Sequence, residues 1–325
     1  MKLKFISIFR IFILIVFSAL LFILSKKITE QYFFGLENKK SANIKLKNIK
    51  ITSWNNLKYF YEPDANSVEV AKPEFSNEDI TYKFNNDAIR AENDYSVNKK
   101  DNVFRLITLG DSYTYGLYLN YYQTYPQILE KLLNEELTCS NIKKFELINL
   151  AYGGYDAEYA YARFIKRGMK YDPDMVIWML NYWNLEIVSE IYHDVYQQLK
   201  LNNNNRNSND DDKYLRAEKI LRDNYSDSFR TEYQKGRIKE MIETFPKIVI
   251  LAGLEGKEKV QKAVFPYLIS GRVYYTNDLP DIRKSKDFYL EDGHPSGRGN
   301  KKIAEYFFLY LAGNFFKDCR INNKP

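Results

Sequence analysis

The sequence predicts an α/β protein in which a five-stranded parallel sheet is covered by helices on both faces. Two patterns predict it. Short apolar segments recur at Val103–Leu109, Glu146–Leu150, Met175–Leu180, Lys247–Ala252 and Arg272–Thr276, each bounded by polar or turn residues. Between them lie stretches such as Gln127–Glu136 and Ala157–Arg167, with apolar residues three or four apart. Alternation of this kind belongs to a doubly wound sheet, whose chemistry gathers at the C-terminal strand ends. At 325 residues the chain can hold one large domain with appendages.

The N-terminus opens on Lys2, Lys4 and Arg10, then an apolar run from Ile11 to Leu24 closed by Lys26 and Lys27. Phe5 to Leu24 together reach the length of a bilayer span, with Arg10 snorkelling. No small-x-small cleavage site follows, so residues 1–30 are expected to be an uncleaved signal anchor. Lysines 26, 27, 39, 40, 45 and 47 beyond it argue against a simple positive-inside assignment. Residues 31–100 are expected to be a membrane-proximal arm, irregular through about residue 77 with Pro63 and Pro73, ahead of a main domain over 101–318. Hydrophobic residues make up 45% of the chain and the net charge is +6. The lysines are dispersed among acids, which excludes a basic nucleic-acid stripe.

The first strand runs into Gly110-Asp111-Ser112-Tyr113-Thr114-Tyr115-Gly116, and a helical pattern follows. A serine on such a turn sits where unpaired helix-end N–H groups can stabilise an oxyanion, which makes Ser112 a candidate nucleophile. A serine hydroxyl needs a base, and the chain has two histidines. His193 lies in an amphipathic helical stretch and reads as a partly exposed helical residue. His294 lies in the loop Leu290-Glu291-Asp292-Gly293-His294-Pro295-Ser296-Gly297, ahead of a helix, with carboxylates two and three residues upstream. A carboxylate so placed can orient an imidazole.

These blocks resemble the SGNH/GDSL hydrolases. The resemblance spans roughly residues 78–315 and implies a flavodoxin-like three-layer fold. It implies Ser112 as nucleophile and His294 as base. The acid is Asp292 in the Asp-x-His wording, which we favour over Glu291 at the commoner spacing. The second block resembles Ile148 to Tyr155, where Gly154 falls at the backbone oxyanion donor beside the Ser112 N–H. A glycine suits a close approach of backbone to substrate. The third block departs from the family pattern. Without a gap, the family's Asn falls on Trp183 and its Asp on Asn184. A one-residue slip restores Asn184 as third donor; Asn181 is the alternative, and the Trp183 indole N–H could also donate. Upstream, Asn85 to Arg90 resembles an Asn-x-x-Gly-x-Arg segment, with Ala88 in place of the glycine.

The expectation is a membrane-anchored serine esterase or O-acyltransferase outside the cytoplasm. Its substrates would be small acyl groups, acetyl foremost, on an envelope or exported polysaccharide. The rival is a catalytically silent carbohydrate-binding or assembly component with the same fold. No cofactor is expected, and no metal, because the histidines are far apart and the cysteines lack ligand spacing. Tyr113, Tyr115, Tyr118, Tyr121 and Tyr122 crowd the nucleophile and offer flat faces for sugar rings, although helix and loop packing would use the same residues. Leu185 to about Glu243 is too long for a plain crossover. It contains the polar tract Leu201 to Asp212, expected to be mobile, in an insertion (about 185–245) that is either a lid or a decoration. Cys139 and Cys319 follow the first and last helices. In a sheet of order 2-1-3-4-5 these share a face, so the two cysteines could meet if the domain is exported; two free thiols are the alternative.

Overall fold

The computed structural model describes residues 56–76, 78–201 and 210–322. The expected anchor at 1–30, the arm before residue 56 and the polar residues 202–209 lie outside the described residues. No helix among the described residues is long and apolar enough to cross a membrane.

Strands β1 (Val68–Ala71) and β2 (Ile80–Lys83) form an antiparallel hairpin. The main sheet is built from β3 (Val103–Leu109), β5 (Lys144–Asn149), β6 (Met175–Leu180), β7 (Ile248–Gly253) and β8 (Val273–Thr276). Every neighbouring pair is parallel and the order is β5-β3-β6-β7-β8, the 2-1-3-4-5 arrangement expected of the sequence. A small antiparallel ladder joins β4 (Leu137–Thr138) to β9 (Arg320–Ile321).

Strands buried on both faces read as continuous apolar runs, and β6, Met-Val-Ile-Trp-Met-Leu, is buried throughout. Alternate side chains serve opposite layers. Ile107, Leu109, Val176, Trp178, Val249 and Leu251 meet α3 (Ala157–Arg163), α7 (Asp227–Thr244) and α8 (Lys257–Val264). Leu106, Met175, Ile177, Met179 and Ile250 meet α2 (Tyr125–Glu136) and α9 (Gly297–Asn314). Each fully buried Leu, Ile or Phe in these layers contributes about 1.5–3 kcal/mol of hydrophobic free energy before entropy is counted. The helix expected over Ala157–Arg167 is α-helical to Arg163 and π-wound over Phe164–Gly168. Gly168 there lies so close to the sheet that a Cβ would come within 2.8 Å of Leu150.

The insertion resolves into two kinds of helix. α5 (Ser189–Leu201) and α6 (Asp210–Asn224) pack on each other, with Tyr196 and Tyr214 stacked at 4.2 Å between ring centroids. α7 is different: Ile238, Met241 and Ile242 belong to the sheet core, so it is the regular crossover helix.

Between residues 56 and 100 the arm is more ordered than the sequence suggests, and it belongs to the same compact unit as the sheet. Leu57, Phe60 and Tyr61 pack on the core, and Ile89 is fully buried within it. Asn85 Oδ1 accepts the N–H groups of Asp87 and Ile89, both at 3.0 Å, and ties a tight turn. Ala88 in that turn has φ 57°, the left-handed region that suits the glycine of the resembled segment. An L-residue there costs about 1 kcal/mol. Arg90 then donates to the carbonyls of Tyr115 and Gly116 at 2.9 and 3.0 Å, and to Leu119.

Cys139 and Cys319 are joined in a disulfide beside the β4–β9 ladder, at the far ends of α2 and α9. The bond closes a sequence separation of 180 residues. Chain-entropy reasoning assigns such a loop about 5 kcal/mol of unfolded-state restriction.

Candidate active site

The nucleophile turn is shaped by sequence at each step. Gly110 ends β3 with φ 151°, and a Cβ there would lie 2.4 Å from Thr114 Oγ1 and 3.0 Å from the Met179 carbonyl. Asp111 caps α1 (Ser112–Tyr115), its Oδ1 accepting the Tyr113 N–H at 3.0 Å. Gly116, at φ 76°, closes the turn by donating to the Ser112 carbonyl. Ser112 therefore opens the helix with its hydroxyl toward the C-terminal edge of the sheet.

His294 reaches that hydroxyl from the last loop. Its Nε2 is 2.9 Å from Ser112 Oγ, and its Nδ1 is 2.8 Å from Asp292 Oδ2. Asp292 Oδ1 also accepts the His294 backbone N–H at 3.1 Å. The carboxylate thus holds the tautomer that carries its proton on Nδ1 and leaves the Nε2 lone pair facing serine. Glu291 is exposed and plays no part in this line. The loop's shape follows from Gly293, at φ 90°, where a Cβ would strike the Arg283 guanidinium at 2.9 Å. Leu290 N–H donates to the His294 carbonyl at 2.7 Å, and the Ser296 hydroxyl caps α9.

Two of the five clustered tyrosines reach the imidazole. The rings of Tyr113 and Tyr118 stand edge-on to it at 5.2 and 6.0 Å. Tyr115 is buried against Tyr82 beneath the hairpin, while Tyr121 and Tyr122 pack on each other. Tyr113 also ties the histidine loop to the far wall. Arg283 Nη2 donates to its hydroxyl at 3.1 Å, and Arg283 Nε donates to Glu255 Oε1 at 2.9 Å. Burial, with the Glu255 charge next, pushes the Tyr113 phenol up, so it stays protonated.

The expected oxyanion donors divide more sharply than the sequence allows. Ser112 and Gly154 line one cleft of about 240 Å³ with His294, Asn181, Trp183 and Glu255. Neither the Ser112 nor the Gly154 N–H has a hydrogen-bond acceptor among the described residues. Asn184, the expected third donor, is corrected by its geometry. It is 1% exposed and absent from the cleft wall, and its amide gives 2.9 Å to the Tyr155 carbonyl and 3.1 Å to Asp111 Oδ2. Both amide hydrogens are committed. Asn181, the alternative, does face the cleft. It caps α4 (Tyr182–Glu186), Oδ1 accepting Trp183 N–H at 2.7 Å, while its amide donates one hydrogen to Asp111 Oδ2. Its second amide hydrogen has no acceptor among the described residues. Burial raises the Asp111 pKa, opposed by the Tyr113 N–H and the two Asn amides.

No residue of the α5–α6 insertion lines this cleft. His193 sits elsewhere, half-buried among Tyr61, Tyr159 and Tyr192, where burial lowers its pKa. Among the described residues no three His, Cys, Asp or Glu side chains are grouped to hold a metal. Sequence reasoning missed Glu255, Arg283 and Tyr61. Only the Asn-x-x-Asn spacing of 181 and 184, a reciprocal cap, was there to be read.

Serine, imidazole and carboxylate in line, beside unengaged backbone N–H groups at the mouth of a parallel sheet, have the geometry of a Ser-His-Asp triad. No family model and no curated protein matches the sequence. Among solved structures, the chain is similar to a lipase/acylhydrolase from Enterococcus faecalis, with 14% identity, 68% of this chain and 100% of that one covered, and a TM-score of 0.42. It is also similar to a protein described as lipolytic and of the G-D-S-L family from Desulfitobacterium hafniense (18%, 64% and 99%, TM-score 0.40). A third is Axe2, an acetylxylan esterase from Geobacillus stearothermophilus, solved as a catalytic mutant (16%, 64% and 94%, TM-score 0.39). What the site can do is read from its own atoms.

Proposed function

We propose that the protein is a serine esterase of the SGNH/GDSL type that acts through an acyl-serine. The observation that carries this reading is the Ser112–His294–Asp292 line, with contacts of 2.9 and 2.8 Å. As Ser112 Oγ attacks an ester carbonyl, His294 Nε2 takes the hydroxyl proton, and Asp292 stabilises the imidazolium. The carbonyl oxygen becomes an oxyanion held by the Ser112 and Gly154 N–H groups and the spare Asn181 amide hydrogen. Collapse expels the alcohol, which receives the proton from His294. Water, deprotonated by the same imidazole, then releases the acid and regenerates serine. A sugar hydroxyl in place of water would make the reaction a transfer.

The small volume of the cleft, where Asn181, Glu255 and Asp111 stand beside Tyr113, Tyr182 and Trp183, favours short acyl groups, acetyl foremost, over long lipid chains. An envelope or exported polysaccharide is the proposed carrier. The disulfide suits an oxidising compartment, in keeping with an extracytoplasmic domain tethered by the apolar segment at 1–30. Ser112→Ala and His294→Ala are each expected to lose about 10³-fold or more in p-nitrophenyl acetate turnover. Wild-type rates in either variant would end the reading. The committed Asn184 amide favours a second reading, a silent carbohydrate-binding module, which predicts no turnover and no reaction of Ser112 with fluorophosphonates.

A further inference from the structure

We propose that Tyr61, on the arm that precedes the sheet domain, is a positioning residue that aims and polarises the Gly154 oxyanion donor. The inference rests on the esterase reading and adds a residue that no motif contains. Tyr61 OH donates to the Gly153 carbonyl at 2.7 Å. That carbonyl and the Gly154 N–H are the two ends of one peptide unit, and no peptide bond among the described residues is cis. In a trans peptide the C=O and N–H bonds point in opposite directions, so a donor fixed on the carbonyl side holds the N–H toward the cleft that Gly154 shares with Ser112. A hydrogen bond to the carbonyl also polarises the peptide, strengthening the bond its N–H can donate by about 10–30%. The approach is close: a Cβ on Gly154 would lie 2.6 Å from the Tyr61 hydroxyl, and Gly154 has φ 76°. Any other residue at 154 would be strained and would displace the phenol.

The phenol is held firmly. Its ring packs edge-on against Tyr152, Tyr155 and Tyr159 at 5.5–5.8 Å. Its own carbonyl accepts the Tyr155 hydroxyl. On one side of it, the Lys58 and Tyr59 N–H groups each donate to Glu190 at 2.8 Å; on the other, Glu62 accepts Arg167 Nε at 3.0 Å. These bonds to a carboxylate or from a guanidinium are stronger than neutral ones. Burial also raises the Tyr61 pKa, so the hydroxyl remains a donor across the working pH range. The arm is thereby part of the site, acting through Gly154 and touching no substrate.

The test compares full-length wild type, Tyr61→Phe and Tyr59→Phe. Tyr59 is a control on the same arm, its hydroxyl bonding Asp194 at 2.5 Å rather than the glycine pair. With p-nitrophenyl acetate, Tyr61→Phe is expected to lose roughly 10-fold in kcat with KM within about 2-fold, less than the 10²–10³ of a deleted oxyanion donor because the donor is weakened, not removed. The rate of fluorophosphonate reaction at Ser112 should fall by a similar factor. Tyr59→Phe should match wild type, and thermal melting should show both variants folded at the assay temperature. A wild-type kcat in Tyr61→Phe, or an equal loss in Tyr59→Phe, would overturn the proposal. Wild-type protein without turnover or labelling would remove the esterase reading, and this proposal with it.

Discussion

Asn181 and Asn184 are chemically identical and three residues apart, yet the structure places them differently, and the proposed esterase mechanism gives them opposite kinds of work. Asn184 makes three buried bonds: 2.9 Å to the Tyr155 carbonyl, 3.1 Å to Asp111, and 2.7 Å from the Asn181 N–H. Asn184→Ala strands a carbonyl and an N–H and removes a donor from a buried carboxylate. At about 1 kcal/mol per net bond, with some added desolvation, the loss is roughly 3–4 kcal/mol. For a chain of this size that lowers Tm by roughly 4–6 °C. Turnover per folded molecule should fall less than about 10-fold, an indirect effect through Asp111. Asn181→Ser keeps a hydroxyl cap on α4 and removes the amide that faces the cleft. It should cost about 1 kcal/mol or less in stability and about 10²-fold in kcat. Melting curves and p-nitrophenyl acetate kinetics on the same preparations separate the two effects. A 10³-fold kcat loss with unchanged Tm in Asn184→Ala, or wild-type kcat in Asn181→Ser, would refute the assignment.

Two further outcomes follow from groups away from the triad. Replacing Cys139 and Cys319 by Ala should cost about 2–5 kcal/mol, seen as a lower Tm that dithiothreitol reproduces in wild type and does not deepen in the variant. Glu158 is fully buried, and burial, then the neighbouring Asp156 charge, pushes its pKa up to about 8 against the pull of Arg237 and Tyr233. The folded state therefore holds this proton more tightly than the unfolded one. Its favourable contribution is complete below the unfolded pKa near 4.5 and is lost as pH rises through 8. Roughly 3–4 kcal/mol of relative stability is lost between pH 5 and 8, so wild-type Tm should fall by about 4–6 °C relative to Glu158→Gln; parallel curves for the two would contradict the assignment.

The sheet was legible because a strand buried on both faces has a distinctive text. Val103–Leu109 and Met175–Leu180 match to the residue, and the other three lie within two. Ser112 and His294 could be paired from sequence because two histidines left little choice and only one lay on a loop beside a carboxylate. Asp292 was favoured over Glu291 on its Asp-x-His wording alone, and the turn at Gly293 is what brings that carboxylate to Nδ1. The third block stayed open between Asn184 and Asn181 because position in a motif says nothing about which amide hydrogens are already committed. Asn184 looked like a donor and is a strut. Tyr61 left no signal at all, since its importance comes from packing across more than ninety residues onto a glycine pair. The clustered tyrosines divide because neighbours in sequence around a helix turn point to different sides: Tyr115 is buried, as helix and loop packing would have it, while Tyr113 and Tyr118 reach the imidazole.

The central claim is that Ser112 is a nucleophile activated by His294. Its most direct measurement is reaction of the folded full-length protein with a fluorophosphonate, followed by peptide mass mapping. The account predicts one adduct per chain, on the peptide containing Ser112, absent in Ser112→Ala and slowed by about 10³-fold or more in His294→Ala. No adduct on folded wild-type protein, or an adduct on another residue that persists in Ser112→Ala, would contradict it.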